Sequence, residues 1–339
     1  MTLVDAFGRQ AEDLRISLTD KCSLRCTYCM PAEGLAWLSS KAVLDDAEIL
    51  RLAAIFVDLG IRTIRLTGGE PLVRAGVAGL VGRLAELRPR PELSLTTNAL
   101  SLADKALELA AAGLDRVNVS LDTLDRDRFR ALTRRDRLAD VLRGLAAARD
   151  AGLDPIKVNA VLMREQNLAE APRLLDWALR HGYQLRFIEH MPLDADHRWS
   201  RQDMVTAQEV LELLGRSFRL RPVAHRGHAP AEEFDVLAGP DADRWQRVAG
   251  APPRVGIIAS VTRPFCRDCD RLRLTADGQL RTCLFAHQET DLRGALRSGR
   301  TDAEIAELIR IAVQAKPAGH GITAPGFRQP DRPMSAIGG

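Results

Sequence analysis

Residues 14–31, LRISLTDKCSLRCTYCMP, start as a short apolar strand and run directly into three cysteines. Working outward, five more short apolar segments follow: IRTIRL (61–66), ELSLT (92–96), RVNVSL (116–121), IKVNAVL (156–162) and QLRFIE (184–189). Between them lie amphipathic stretches such as DDAEILRLAAIFVDLG, SLADKALELAAAG, LADVLRGLAAARDAG and NLAEAPRLLDWALRHG. Each carries apolar residues at helical spacing and closes near a glycine. Six strands alternating with helices predict a parallel sheet in an α/β fold. An eight-unit barrel needs about 250 residues, so the available stretch fits an incomplete (β/α)6 TIM-type barrel, open on one side.

Polar residues gather where each strand stops: Thr19–Lys21, Thr67–Pro71, Thr96–Asn98, Ser120–Asp122 and Glu189–Met191. In barrels of this type the chemistry sits at the C-terminal strand ends, and the cysteine loop belongs to that set. From about residue 200 the pattern changes to short strand-like pieces rich in Pro, Gly and His. RPFCRDCDRLRLTADGQLRTCLF (263–285), a helix (TDAEIAELIRIAVQA) and a Pro/Gly-rich tail follow. The expected division is a barrel over 1–220 and a C-terminal α+β extension over 221–339 that closes the open side.

The composition suits a globular chain: 46% of the 339 residues are hydrophobic and 27% charged. A net charge of +3 from 48 basic and 45 acidic residues gives no support to a nucleic-acid or membrane-surface role. No apolar run reaches the roughly 18 residues of a membrane span, and the first residues lack a leader pattern, so a cytoplasmic location is expected. In a reducing compartment clustered cysteines read as metal ligands. Few of the basic residues are lysines, which makes a lysine at a key position informative.

Cys22, Cys26 and Cys29 are spaced C-x3-C-x2-C, and Cys266, Cys269 and Cys283 are spaced C-x2-C-x13-C. Three thiols fit neither a disulfide nor a closed zinc site, which takes four ligands. His287 is the only nearby candidate for a fourth ligand at the second triad, and it reads as a surface residue. A 4Fe–4S cluster held by three thiolates leaves one iron free for a small molecule. The rival readings are a helix face of core cysteines for the first triad and a half zinc ribbon for the second.

The first triad, with an aromatic before its last cysteine and GGEP at 68–71, resembles the radical S-adenosylmethionine (SAM) superfamily. With the second triad, the resemblance narrows to the GTP 3′,8-cyclase family of molybdenum cofactor biosynthesis. It is carried by Arg15, CTYCMP, IRLTGGEPLVR, TTN, VNVSLD, RFIEHMPLD, FCRDCDRLRLTADGQLRTCLF, KPAGH and MSAIGG. Ala99 and Asp270 depart from the family's usual Gly and Asn.

The resemblance implies a lyase with two 4Fe–4S clusters and SAM. It would convert GTP to (8S)-3′,8-cyclo-7,8-dihydroguanosine 5′-triphosphate through a 5′-deoxyadenosyl radical that takes the ribose C3′ hydrogen. Cys22, Cys26 and Cys29 would hold the SAM-binding cluster, and Cys266, Cys269 and Cys283 the substrate-binding one. Tyr28, Gly69, Ser120 and Met191 would surround SAM; Arg15, Arg65, Thr96, Lys157, Arg271 and Arg273 would line the GTP site. Gly338 and Gly339 would form a catalytic tail reaching into the barrel. Implied partners are GTP, an electron donor and the next enzyme of the molybdopterin pathway, with the chain a monomer or homodimer. The functional alternatives are a radical SAM peptide-modifying enzyme and a non-catalytic zinc scaffold. The absence of a P-loop suits an enzyme that leaves the triphosphate intact.

Overall fold

The computed structural model describes residues 2–224, 226–246 and 252–338. Six parallel strands form its centre: β1 Asp13–Ser17, β2 Thr63–Thr67, β3 Glu92–Thr97, β4 Arg116–Ser120, β5 Lys157–Leu162 and β6 Gln184–Glu189. The helices between them pack on the outer face. Helix Asp46–Asp58 begins at a reciprocal cap, in which Asp45 accepts from Glu48 N and Glu48 accepts from Asp45 N. Its Ile49, Leu52, Ala53 and Phe56 recur at helical spacing and are buried against the sheet. Gly60, at φ +103°, then turns the chain towards β2.

Six more strands follow: β7 Arg219–Pro222, β8 Glu232–Ala238, β9 Arg254–Ile258, β10 Arg271–Leu274, β11 Gln279–Arg281 and β12 Thr290–Asp291. They join the same sheet, in the order β12-β11-β10-β1-β2-β3-β4-β5-β6-β9-β8-β7. β9 lies parallel beside β6 and β10 parallel beside β1, so the C-terminal part lengthens both edges of the barrel. The sheet does not close on itself, and residues 259–270 lead from one edge to the other. Helix Asp302–Gln314, capped by Thr301 and Glu304, buries Ile305, Ile309 and Val313.

The main apolar core lies between the sheet and its helices. A second, smaller one contains Leu193, Met204, Val261, Phe285, Ile322 and Ile337, and ties the C-terminal tail to the segment after β6. Among the described residues no helix is long and apolar enough to cross a membrane.

Candidate active site

The first cysteine loop is a turn rather than a helix: Cys29 N and Met30 N both donate to Cys26 O, at 3.0 and 3.1 Å. Backbone pairing ties it to the end of β2, with Gly69 N donating to Thr19 O and Glu70 N to Lys21 O, both at 2.8 Å. This contact explains GGEP. A Cβ on Gly68 would come 2.3 Å from Thr19 O, and one on Gly69 2.4 Å from Lys21 O. Glu70 is buried and accepts from Thr97 Oγ1, Asn98 N and Leu72 N, joining the ends of β2 and β3. Burial pushes its carboxyl up to about 7.

Cys22, Cys26 and Cys29 are free and line one cavity with Gly68, Gly69, Asn98 and Ser335. Burial raises all three thiols, Cys29 to about 12; Glu70 adds to the rise at Cys22, Asp122 and the other two thiols at Cys26, and Cys22 at Cys29. Iron held there would relieve these effects by taking the thiolates as ligands. Among the described residues no three His, Cys, Asp or Glu side chains are gathered tightly enough for a single metal ion. Three thiolates suit a 4Fe–4S cluster with one iron left open, whereas a structural zinc takes four ligands.

A central cavity adjoins this one and shares Tyr28, Thr96, Ser120, Asp122 and Met334 with it. Tyr28 donates to Asp122 Oδ2 at 2.7 Å, while Asp122 Oδ1 accepts from Val161 N. Burial pushes Asp122 up to about 6. Met191 and His190 line the same wall, with the His190 ring 6.1 Å from that of Tyr28.

The floor of the central cavity is cationic, and strand register shows how it is built. Arg273 pairs with Arg15 across β10 and β1, Arg15 with Arg65 across β1 and β2, and Asn159 with Arg186 across β5 and β6. Directly paired residues point to the same side of a sheet, so these charges converge on the interior. Asp13 lies 3.8 Å from Arg65 and is the only carboxylate in ion-pair range of these four arginines among the described residues. The consequence is mutual repulsion in a dry setting. Burial, then Arg65 and Arg273, push Arg15 well below its usual value. Arg186 falls to about 9 and Arg273 to about 10, in both cases mainly by burial. The buried Arg15 Nε has no hydrogen-bond partner. Such an arrangement is costly without a polyanion.

Arg15, Arg65, Thr96, Arg271 and Arg273 all line this cavity. Lys157 does not; it lies two residues before Asn159 on the same face of β5, deeper in the barrel. Burial, then repulsion from Arg186, Arg116 and Arg65, bring Lys157 down to about 7. Arg186 is the cation that sequence reading missed, although its place in QLRFIE matches the inward parity of the other strands.

Cys266, Cys269 and Cys283 line a further cavity, which shares Met191, Ser260, Phe265, Arg271, Arg273 and Leu284 with the central one. Cys269 N donates to Cys266 O at 3.3 Å in a short turn. Arg9 donates to the carbonyls of Cys266, Pro317 and Ala318, and the Arg271 guanidinium sits 4.6 Å over the Phe265 ring. His287 is exposed and donates from Nε2 to Arg328 O, so its hydrogen bond is to the tail.

Gly338 reaches the ends of β1 and β2. Ser17 Oγ donates to Ile337 O at 3.1 Å, and Arg273 donates to Gly338 O. Gly338 has φ +90°, and a Cβ there would lie 2.1 Å from Ser17 Oγ. Gly339 lies outside the described residues.

These features define the radical SAM class. The profile of the Radical SAM superfamily matches residues 16–178, and that of Molybdenum Cofactor Synthesis C matches residues 183–322. The solved structure of Streptococcus suis SuiB bound to precursor peptide SuiA shares the fold, with TM-score 0.63 and 14% identity over 95% of this chain and 74% of that one. The chain is 60% identical to the GTP 3′,8-cyclase of Streptomyces coelicolor, over 99% of this chain and 96% of that protein. It is 56% identical to that of Mycolicibacterium smegmatis, over 99% and 92%. The chain belongs to the GTP 3′,8-cyclase family, radical SAM enzymes that use SAM and two 4Fe–4S clusters.

Proposed function

We propose that the chain converts GTP to (8S)-3′,8-cyclo-7,8-dihydroguanosine 5′-triphosphate, the first step of molybdopterin biosynthesis. The observation that carries this reading is a central cavity lined by under-paired arginines and flanked on each side by a cysteine triad. Cys22, Cys26 and Cys29 would hold one cluster, and Cys266, Cys269 and Cys283 the other. When bound, the first cluster and SAM supply the 5′-deoxyadenosyl radical that takes the C3′ hydrogen.

The chain's own residues supply position and charge. Arg15, Arg65, Arg271, Arg273 and Arg186 offer the triphosphate planar, multiply donating partners, with Thr96 beside them and Lys157 adding charge from below. Fixed before binding, they hold the ribose between the two triads. Tyr28 and Ser120 form the wall shared with the first triad's cavity, Met191 stands where the central cavity meets that of the second triad, and Gly69 brings the β2 backbone close to the first cysteine loop. Gly338, held by Ser17 and Arg273, sets the tail at the mouth of the barrel. The division of labour follows the chain, with SAM chemistry in 1–220 and the second cluster in 221–339. The enzyme would work in the cytoplasm, drawing electrons from a separate donor and handing its product to the next pathway enzyme, as a monomer or homodimer.

Anaerobic incubation with GTP, SAM and a reductant, followed by chromatographic separation and spectroscopic analysis of the nucleotide, tests the reading. The expected product is an isomer of GTP with the same mass, separated from it by chromatography, that retains its triphosphate and lacks the guanine C8–N7 double bond in its absorbance spectrum. Unchanged GTP alongside full SAM cleavage would count against it.

A further inference from the structure

Lys316, from the KPAGH segment, is 4% exposed and follows helix Asp302–Gln314. Its Nζ donates to Cys269 O at 2.8 Å, to Arg271 O at 3.1 Å and to Cys269 Sγ at 3.8 Å. None of these partners is a carboxylate, although a buried ammonium normally requires an anion. The anion on offer is the Cys269 thiolate. The segment is fixed from behind, since Arg9 binds the Pro317 and Ala318 carbonyls and is itself paired with Asp5 at 2.6 Å. The ammonium is therefore aimed at the sulfur by a rigid frame. At the first triad the comparable contact is neutral: the Asn98 amide lies 3.8 Å from Cys22 Sγ.

We infer that Lys316 is the counter-ion of the second cluster and raises its reduction potential through Cys269. Reduction adds one negative charge to a thiolate-held cluster. A buried cation beside one of those sulfurs stabilises the reduced form more than the oxidised one. The inference rests on the second triad being a cluster site, which the iron content of the unaltered chain checks separately.

The test uses the full-length chain with reconstituted clusters, unaltered and as Lys316→Met, Lys316→Gln and Lys316→Arg. Iron and sulfide are assayed first. Each cluster is then titrated against a dye-mediated potential and read by electron paramagnetic resonance, with Cys26→Ala isolating the second signal. Lys316→Met and Lys316→Gln should lower the reduced-to-oxidised ratio of the second cluster at fixed potential by about tenfold, or about 59 mV for a one-electron couple. Lys316→Arg should stay near the unaltered value, and the first cluster should not move. Loss of second-cluster iron in Met and Gln but not Arg would also support a counter-ion. An unchanged potential with full iron content would overturn the inference, and so would loss of that iron in all three variants.

Discussion

At the first cysteine site the side-chain charges acting on the thiols are chiefly acidic: Glu70 on Cys22, Asp122 on Cys26 and Asp194 on Cys29. At the second they are basic, with Arg273 acting on Cys283 and the Lys316 ammonium reaching Cys269. Construction differs as well. The first site is one loop laid against the ends of neighbouring strands, whereas the second draws Arg9, Cys266–Cys283 and Lys316–His320 from distant parts of the chain. Equal ligand counts thus sit in opposite fields. Acidic surroundings favour a cluster that gives up its electron, and basic ones a cluster beside an anionic substrate.

Removing one triad at a time should have the largest effect and separates the roles of the two sites. Cys26→Ala should abolish SAM cleavage and leave about half of the roughly eight irons expected from two 4Fe–4S clusters. Cys269→Ala should leave a similar iron content and retain SAM cleavage while yielding no cyclised nucleotide. Iron assay and chromatography of 5′-deoxyadenosine and nucleotide read both; cyclised product from either variant would end the division of roles.

The tail lies between the two sites, so Gly338→Ala comes next. Its Cβ would collide with Ser17 Oγ at a backbone angle suited to glycine. The tail must shift, and a displacement of about 1 Å near reacting groups can cost about 100-fold in rate. Both cluster signals and GTP binding should persist, measured by absorbance and equilibrium dialysis. Deleting Gly338 and Gly339 should have the same sign. Full turnover in either variant would return the tail to a structural role.

Removing single cations should cost less. Arg186→Ala and Arg273→Ala should each weaken GTP binding by roughly 1.5–3 kcal/mol, about 10- to 150-fold, with SAM affinity unchanged. Calorimetry with each ligand separates this from a folding defect, which would weaken both.

The smallest effect is a pH dependence at Lys157. Burial and neighbouring cations bring it down to about 7, so it loses its charge as pH rises through that value. GTP binds the protonated form, and its affinity should therefore fall about fivefold between pH 7 and pH 8. Lys157→Arg, which keeps its charge, should flatten that profile; an identical slope in both proteins would place the titrating group elsewhere.

The six central strands were legible because each is a short apolar run bounded by turn residues. The observed β2, Thr63–Thr67, begins two residues after the expected IRTIRL, since Ile61 packs in the turn after Gly60. Helix Ala106–Ala111 is shorter than SLADKALELAAAG suggested, because residues 101–105 form turns. Ala99 shows what a departure from the family pattern means physically. It stands at φ +62°, where glycine is usual, and Gly144 packs against its carbonyl because no Cβ intervenes. Arg186 escaped notice because one arginine in a strand looks like any surface charge until the register of its neighbours is known.

Cysteine spacing, GGEP, Arg271 with Arg273 and the strand–helix alternation are local patterns, so the chemistry and the type of barrel could be read without knowing how the chain folds. Tertiary structure alone decided that β9 and β10 extend opposite edges, because strand edges pair through backbone groups that every residue carries. It also decided which cations meet. Arg273, Arg15 and Arg65 become one buried field only when β10, β1 and β2 lie side by side, and Lys316 finds Cys269 only when the chain folds back on itself. Charge acts through distance in space, and for residues this far apart in the chain only the fold sets that distance.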